Sequence, residues 1–167
     1  MENPLAGAPS PDIDLHFLRR ALNLAAENVE RGDGGPFGAV IAQDGRVIAE
    51  ARNLVLAEND PTAHAEIQAI RAACRKVGHF HLENCVLYAS SEPCPMCLAA
   101  AYWARVTRIV YANSRLQAAS AGFDDADLYR ELCLPAAARR ILVAQRTLAE
   151  ANAPFAAWHN SAKRQMY

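Results

Sequence analysis

Four side chains in two short stretches carry the chemistry this sequence can do. Thr62-Ala63-His64-Ala65-Glu66 offers an imidazole and, two residues on, a carboxylate. Glu92-Pro93-Cys94-Pro95-Met96-Cys97 offers two thiols three positions apart, directly after a proline. Two thiolates and one imidazole are the ligand set of a tetrahedral zinc site that keeps one position for water. A structural zinc site takes a fourth protein ligand. None of the other histidines (His16, His79, His81, His159) or cysteines (Cys74, Cys85, Cys133) repeats a ligand-like spacing with these stretches. Glu66, a carboxylate beside the metal and not a ligand in this reading, is what argues for catalysis over structure.

The two stretches constrain the elements that hold them. A helix turns about 100° per residue, so His64 and Glu66 point roughly 200° apart on a helix side. Both face one centre only if the end of the helix points at the metal. Asp60-Pro61-Thr62 is a helix-start signal and predicts that both residues sit in the first turn. Cys94 and Cys97 share a face of a second helix, with Pro93 and Pro95 suited to a strand-to-helix corner and a first turn. Thiolates there are favoured by free backbone N–H groups and the helix dipole. Two helix N-termini are therefore expected to meet at one zinc. A lone C-x-x-C is equally a redox pair, and only the joint pattern is specific.

Around these stretches the chain alternates strands and helices. Residues 1–11, with three prolines, read as a flexible leader, and residues 12–167 as one domain. From Asp12 to Arg31, Leu15, Leu18, Leu22, Ala25 and Val29 recur at helical steps, and Gly32 ends the helix. Phe37 to Gln43 and Arg46 to Arg52 read as strands joined at Asp44-Gly45, a hairpin turn. Ile67, Ile70, Ala73, Cys74 and Val77 form the buried stripe of the motif helix, stopped by Gly78. Val86 to Ser90 delivers the cysteine corner. Arg108 to Ala112 and Ile141 to Ala144 read as fourth and fifth strands. A helical segment lies near Leu128 to Leu132, and Pro154 to Tyr167 is amphipathic with Phe155, Trp158 and Ala162. The fold class expected is α/β, a three-layer α/β/α sandwich on a mixed five-stranded sheet.

Composition narrows the partners. Net charge is −1 from 17 basic and 18 acidic residues, without a Lys or Arg run, which counts against a long polyanion such as tRNA or DNA. Five cysteines, two of them claimed by zinc, suit a reducing compartment and no disulfide framework. The N-terminus shows no secretory pattern, and no apolar run approaches the roughly 18 residues of a membrane span. A cytoplasmic protein is expected.

Joined, the stretches read H-x-E … P-C-x-x-C, the signature of zinc-dependent nucleobase deaminases. The match is wider than that motif. The chain resembles the cytidine deaminase superfamily and, within it, the small single-domain bacterial guanine deaminases. The segments that carry this are Gly34-Gly35-Pro36-Phe37-Gly38-Ala39-Val40, Asn59 to Glu66, Glu92 to Cys97, Tyr102-Trp103-Ala104-Arg105, Ala121-Gly122-Phe123-Asp124-Asp125 and the terminal tyrosine. The resemblance implies hydrolysis of guanine to xanthine and ammonia, with Zn²⁺ on His64, Cys94 and Cys97 and Glu66 moving protons. Guanosine or another small amino-heterocycle is the alternative, and tRNA adenosine a more distant one. It further implies that Phe37 lies on the purine ring, Asn53 bonds its edge, His64 and Trp103 wall the pocket, and Asp125 meets the guanine amidine and shuttles protons. Tyr167 would close the pocket from a partner subunit, through a segment 154–167 exchanged in a homodimer. Without the resemblance, Phe37 reads equally as core, Asn53 as a turn residue and Asp125 as a solvated helix cap, and Trp103, at helical spacing from Ala99 and Ala100, reads as partly core in either case.

Overall fold

The computed structural model describes residues 11–123 and 125–166. They fall into two compact units, one ending at Ala126 and the other beginning at Asp127. The expected leader lies outside the described residues except for Pro11, which opens the first helix.

In the first unit, α1 (Pro11–Arg31) precedes a hairpin of β1 (Gly38–Gln43) and β2 (Arg46–Arg52). Asp44 and Gly45 both take positive φ, 48° and 73°, the paired left-handed conformation that a tight hairpin turn needs. A short helix α2 (Val55–Glu58) and the motif helix α3 (Ala65–Val77) follow, with Gly78 left-handed at the α3 C-cap. Then come β3 (Cys85–Ser91), α4 (Pro95–Trp103), β4 (Arg108–Asn113) and α5 (Arg115–Ser120). The sheet order is β2-β1-β3-β4, antiparallel except for the parallel pair β3–β4. All seven residues of β3 are buried, as expected of a strand covered on both faces. Phe17, Ala21 and Leu24 of α1 pack with Val40, Val86 and Tyr88 on one face. Ala69, Ile70 and Ala73 of α3 and Ala101 of α4 pack with Ile41 and Leu87 on the other. Strand polarity then does something for function. The start of β1 and the ends of β2, β3 and β4 lie at one edge of the sheet, because Gly38 pairs with Arg52, Ala39 with Ala89, and Ser91 with Asn113.

Three expectations change. The sheet has four strands, not five: residues 141–148 form no strand, and Ile141 and Leu142 are 78% and 89% exposed. Among the described residues of the second unit no extended segment offers a ladder partner, and an isolated strand leaves its backbone groups unpaired. That unit instead holds α6 (Ala126–Cys133, continuing from the first) and α7 (Ala153–His159). The buried stripe of α1 is also rotated: Phe17, Ala21, Leu24, Ala25 and Asn28 face inward, while Leu15, Leu22 and Val29 are exposed. Val77, expected inside, is exposed too.

Opposite the motif helices, the Tyr88 hydroxyl donates to Asp14 Oδ1 at 2.9 Å, and Arg108 Nη1 donates to the same oxygen at 3.2 Å. Burial, then the Asp14 bond, raises the Tyr88 phenol above its ordinary 10.0. A phenol whose folded pKa is raised gives stability that is complete below about pH 10 and is lost as pH rises further, at up to about 1.4 kcal/mol per pH unit. Tyr88→Phe should therefore flatten the alkaline fall in unfolding free energy measured between about pH 9 and 11. Parallel wild-type and variant curves would contradict this.

Candidate active site

His64 is the N-cap of α3 and Cys94 the N-cap of α4, one position outside the first turn in each case, with Glu66 and Cys97 inside it. Both caps are extended, with ψ of 153° and 168°, so their side chains swing across the helix ends. His64 Nδ1 lies 3.6 Å from Cys94 Sγ and 3.5 Å from Cys97 Sγ, and the three donor atoms are all within 4.8 Å of one another. A tetrahedral zinc with Zn–S of about 2.3 Å and Zn–N of about 2.0 Å separates such donors by about 3.5 Å. The donor set therefore fits zinc in type and in spacing.

Electrostatics fit as well. A hydrogen bond from Cys97, with His64 beside it, pulls the Cys94 thiol down to about 4. The same pairing pushes Cys97 up, and the bond to Cys94 raises His64 above its ordinary value. The site thus holds a thiolate that a cation would neutralise. Glu66 is buried, and burial lifts its carboxyl to about 7. Burial, followed by the nearby Cys94 charge, also raises Asp125.

These groups open into a cavity of about 810 Å³ in the first unit. Phe37, Asn53, His64, Glu66, Cys94 and Asp125 all line it. Cys97 is fully buried behind them. Asn53 is buried, and its Oδ1 accepts from the Gly35 and Val55 N–H groups at 3.3 and 3.1 Å. Trp103, expected as a wall, is not among the lining residues. It ends α4, about 9 Å along the axis from Cys97, and is 69% exposed. Tyr167 lies outside the described residues.

Among the lining residues without a role assigned from sequence, Phe123, Glu92 and Arg115 carry the clearest interactions. Phe123 stands edge-on to Phe37, ring centres 4.9 Å apart and planes at 82°, so two aromatic surfaces meet at a corner of the cavity. Glu92 accepts from the Arg115 backbone N–H at 3.0 Å, which ties the cysteine corner to the start of α5. Arg115 lines the cavity and faces Glu92, its Nε 3.9 Å from Oε1. Glu92 and Phe123 lie inside motif segments, so adjacency to assigned residues was the signal available.

Residues 11–113 match the model of the cytidine and deoxycytidylate deaminase zinc-binding region. The chain belongs to this family. Within it, the chain is 54% identical over 151 residues to guanine deaminase of Bacillus subtilis, covering 90% of this chain and 97% of that one. The X-ray structure of guanine deaminase from that organism superposes with a TM-score of 0.89 at 53% identity, over 91% and 97% of the two chains. Guanine deaminase from Nitrosomonas europaea gives a TM-score of 0.64 at 32% identity, over 70% and 65%. The tRNA-specific adenosine deaminase of Agrobacterium fabrum is 48% identical over 96 residues, 58% of this chain and 62% of that one. No helix among the described residues is long and apolar enough to cross a membrane.

Proposed function

We propose that this enzyme hydrolyses guanine to xanthine and ammonia, using zinc held by His64, Cys94 and Cys97. The observation that carries the substrate is the end-to-end likeness to a guanine deaminase, which runs past the zinc region through the segments around Phe123 and Asp125. Likeness to the tRNA deaminase spans 96 residues, no more than the length of the zinc region.

Bound at these donors, zinc supplies a Lewis acid that makes water nucleophilic near neutral pH. Glu66 takes the proton as oxygen adds to the amino-bearing C2 of the purine. Glu66 passes that proton to a ring nitrogen, then takes the remaining hydroxyl proton of the adduct and delivers it to the amine, so that the C2=O bond forms as the C2–N bond breaks and ammonia leaves. Asp125 is a second carboxyl in the same cavity, available to meet the amidine edge and relay a proton. Phe37 stacks on the ring, a contact worth about 1–3 kcal/mol, and Asn53 bonds the purine edge. In our reading the enzyme is a homodimer in which segment 154–167 is exchanged and Tyr167 closes the partner's cavity.

Ammonia release from guanine, guanosine, adenine, cytosine and tRNA, with and without a chelator, tests the assignment. Guanine should be the preferred substrate, and chelation should abolish its turnover. A preference for guanosine or tRNA would overturn the substrate. Removing residues 154–167 should cut guanine turnover about tenfold or more with zinc retained, because an open site admits water and loosens the substrate. Unchanged turnover would remove the segment from the site.

A further inference from the structure

Asn28 lies on the face of α1 that packs into the core, in line with Phe17, Ala21 and Leu24, and its side chain is fully buried. A buried amide at such a position has to be satisfied by protein partners. Its Nδ2 donates to the carbonyl of Gly35 at 2.7 Å and to the carbonyl of Asn53 at 2.9 Å. Both partners are acceptors, which fixes the orientation of the amide and leaves Asn28 Oδ1 buried without a partner. An apolar side chain here would avoid that orphan oxygen but would take the side-chain donor from the Asn53 carbonyl and leave the Gly35 carbonyl with the Phe37 N–H alone.

What the two bonds hold is the cavity wall. The Gly35 N–H, in the same residue whose carbonyl Asn28 grips, donates to Asn53 Oδ1, and the Val55 N–H donates to the same oxygen. Gly34 also lies close: a Cβ there would stand 2.2 Å from Asn53 Oδ1. With Oδ1 engaged by two backbone donors, Asn53 meets a ligand through its Nδ2–H groups. We propose that Asn28 is a positioning residue for guanine binding, clamping the backbone on both sides of the Asn53 amide so that this donor is set before the purine arrives. This rests on the reading of Asn53 as a purine contact.

The test uses zinc-loaded, full-length enzyme with four variants: Asn28→Ala, Asn28→Ser, Asn53→Ala and the Asn28→Ala/Asn53→Ala double. Asn28→Ala should raise KM for guanine about tenfold with kcat within about twofold and zinc unchanged, and Asn28→Ser, which keeps one donor, should fall between. In the Asn53→Ala background the Asn28 substitution should change KM by less than about twofold, since the group it acts through is gone. An unchanged KM in Asn28→Ala, or the same tenfold rise in both backgrounds, overturns the proposal. If Asn53→Ala alone leaves KM unaltered, the purine contact itself is misassigned and the proposal falls with it, whereas deamination of guanine would stand. One measurement needs no variant. In ligand-free wild type the Gly35 and Val55 amides should be protected from hydrogen exchange, although Val55 opens a helix where such groups are ordinarily unpaired. Fast exchange at both would show that Asn53 is not held in advance and would overturn the proposal.

Discussion

Glu66→Gln and Glu66→Ala, loaded with zinc, are expected to bind metal like the wild type and to release ammonia from guanine about 10²–10⁴-fold more slowly. That loss corresponds to roughly 3–5 kcal/mol of barrier. The magnitude comes from the proton inventory. Hydrolytic deamination moves both protons off water, one to a ring nitrogen and one to the leaving amine, and Glu66 is the buried carboxyl nearest the donors in sequence. Burial lifts its carboxyl to about 7, and a divalent cation at His64 pulls the other way. The group therefore works as base and then acid without a large penalty in either form. Glutamine keeps the volume and most of the packing while losing that capacity, so zinc content and thermal stability should stay near wild type. Wild-type turnover in either variant would show that another group moves the protons; Asp125, raised by burial in the same cavity, would be the first to test.

The chemistry was legible in the sequence because it is local. His64, Glu66, Cys94 and Cys97 sit at helix starts; the prolines flanking Cys94 mark the second, while Asp60-Pro61-Thr62 forms a turn just ahead of α3, which begins only after His64. The three ligand atoms then converge to within 4.8 Å, because β3 and the start of α3 reach the same edge of the sheet. What stayed illegible depends on partners far along the chain. Ile141 to Ala144 has the composition of a strand, but a strand exists only where another strand offers its hydrogen bonds, and composition does not carry that information. In α1 the apolar residues nearly encircle the helix, so Leu15, Leu22 and Val29 outvoted a true stripe that contains a polar residue. Asn28 was missed for that reason: a buried amide looks like a surface position until its two carbonyl partners, seven and twenty-five residues on, are brought beside it. Trp103 does not line this chain's own cavity. Its place in a motif suggested a pocket wall, yet α4 carries it away from Cys97 to an exposed end.

Cys94→Ala should lose the metal, the activity and part of the stability together. Three donors with an open position are the minimum for tight zinc, and removing one leaves His64 and Cys97 alone. The metal binds the folded site and finds no comparable site in the unfolded chain, so its binding free energy adds to folding as RT ln(1 + [Zn]/Kd), about 4.1 kcal/mol when free zinc is 1,000 times Kd. The expected result is zinc well below one per chain by metal analysis, no guanine turnover above background, and a lowered Tm. Chelated wild type sharpens the comparison. If the stability lost on substitution is the metal's contribution, chelated wild type and Cys94→Ala should melt within a few degrees of each other, both below the zinc-loaded enzyme. Cys94 also anchors the corner between β3 and α4 through the hydrogen bond from Leu98 N to its carbonyl at 2.9 Å, and alanine keeps that backbone bond. A variant that stays fully metallated and as stable as wild type would mean that the metal takes other ligands. The placement of water, Glu66 and purine would then have to be rebuilt around them.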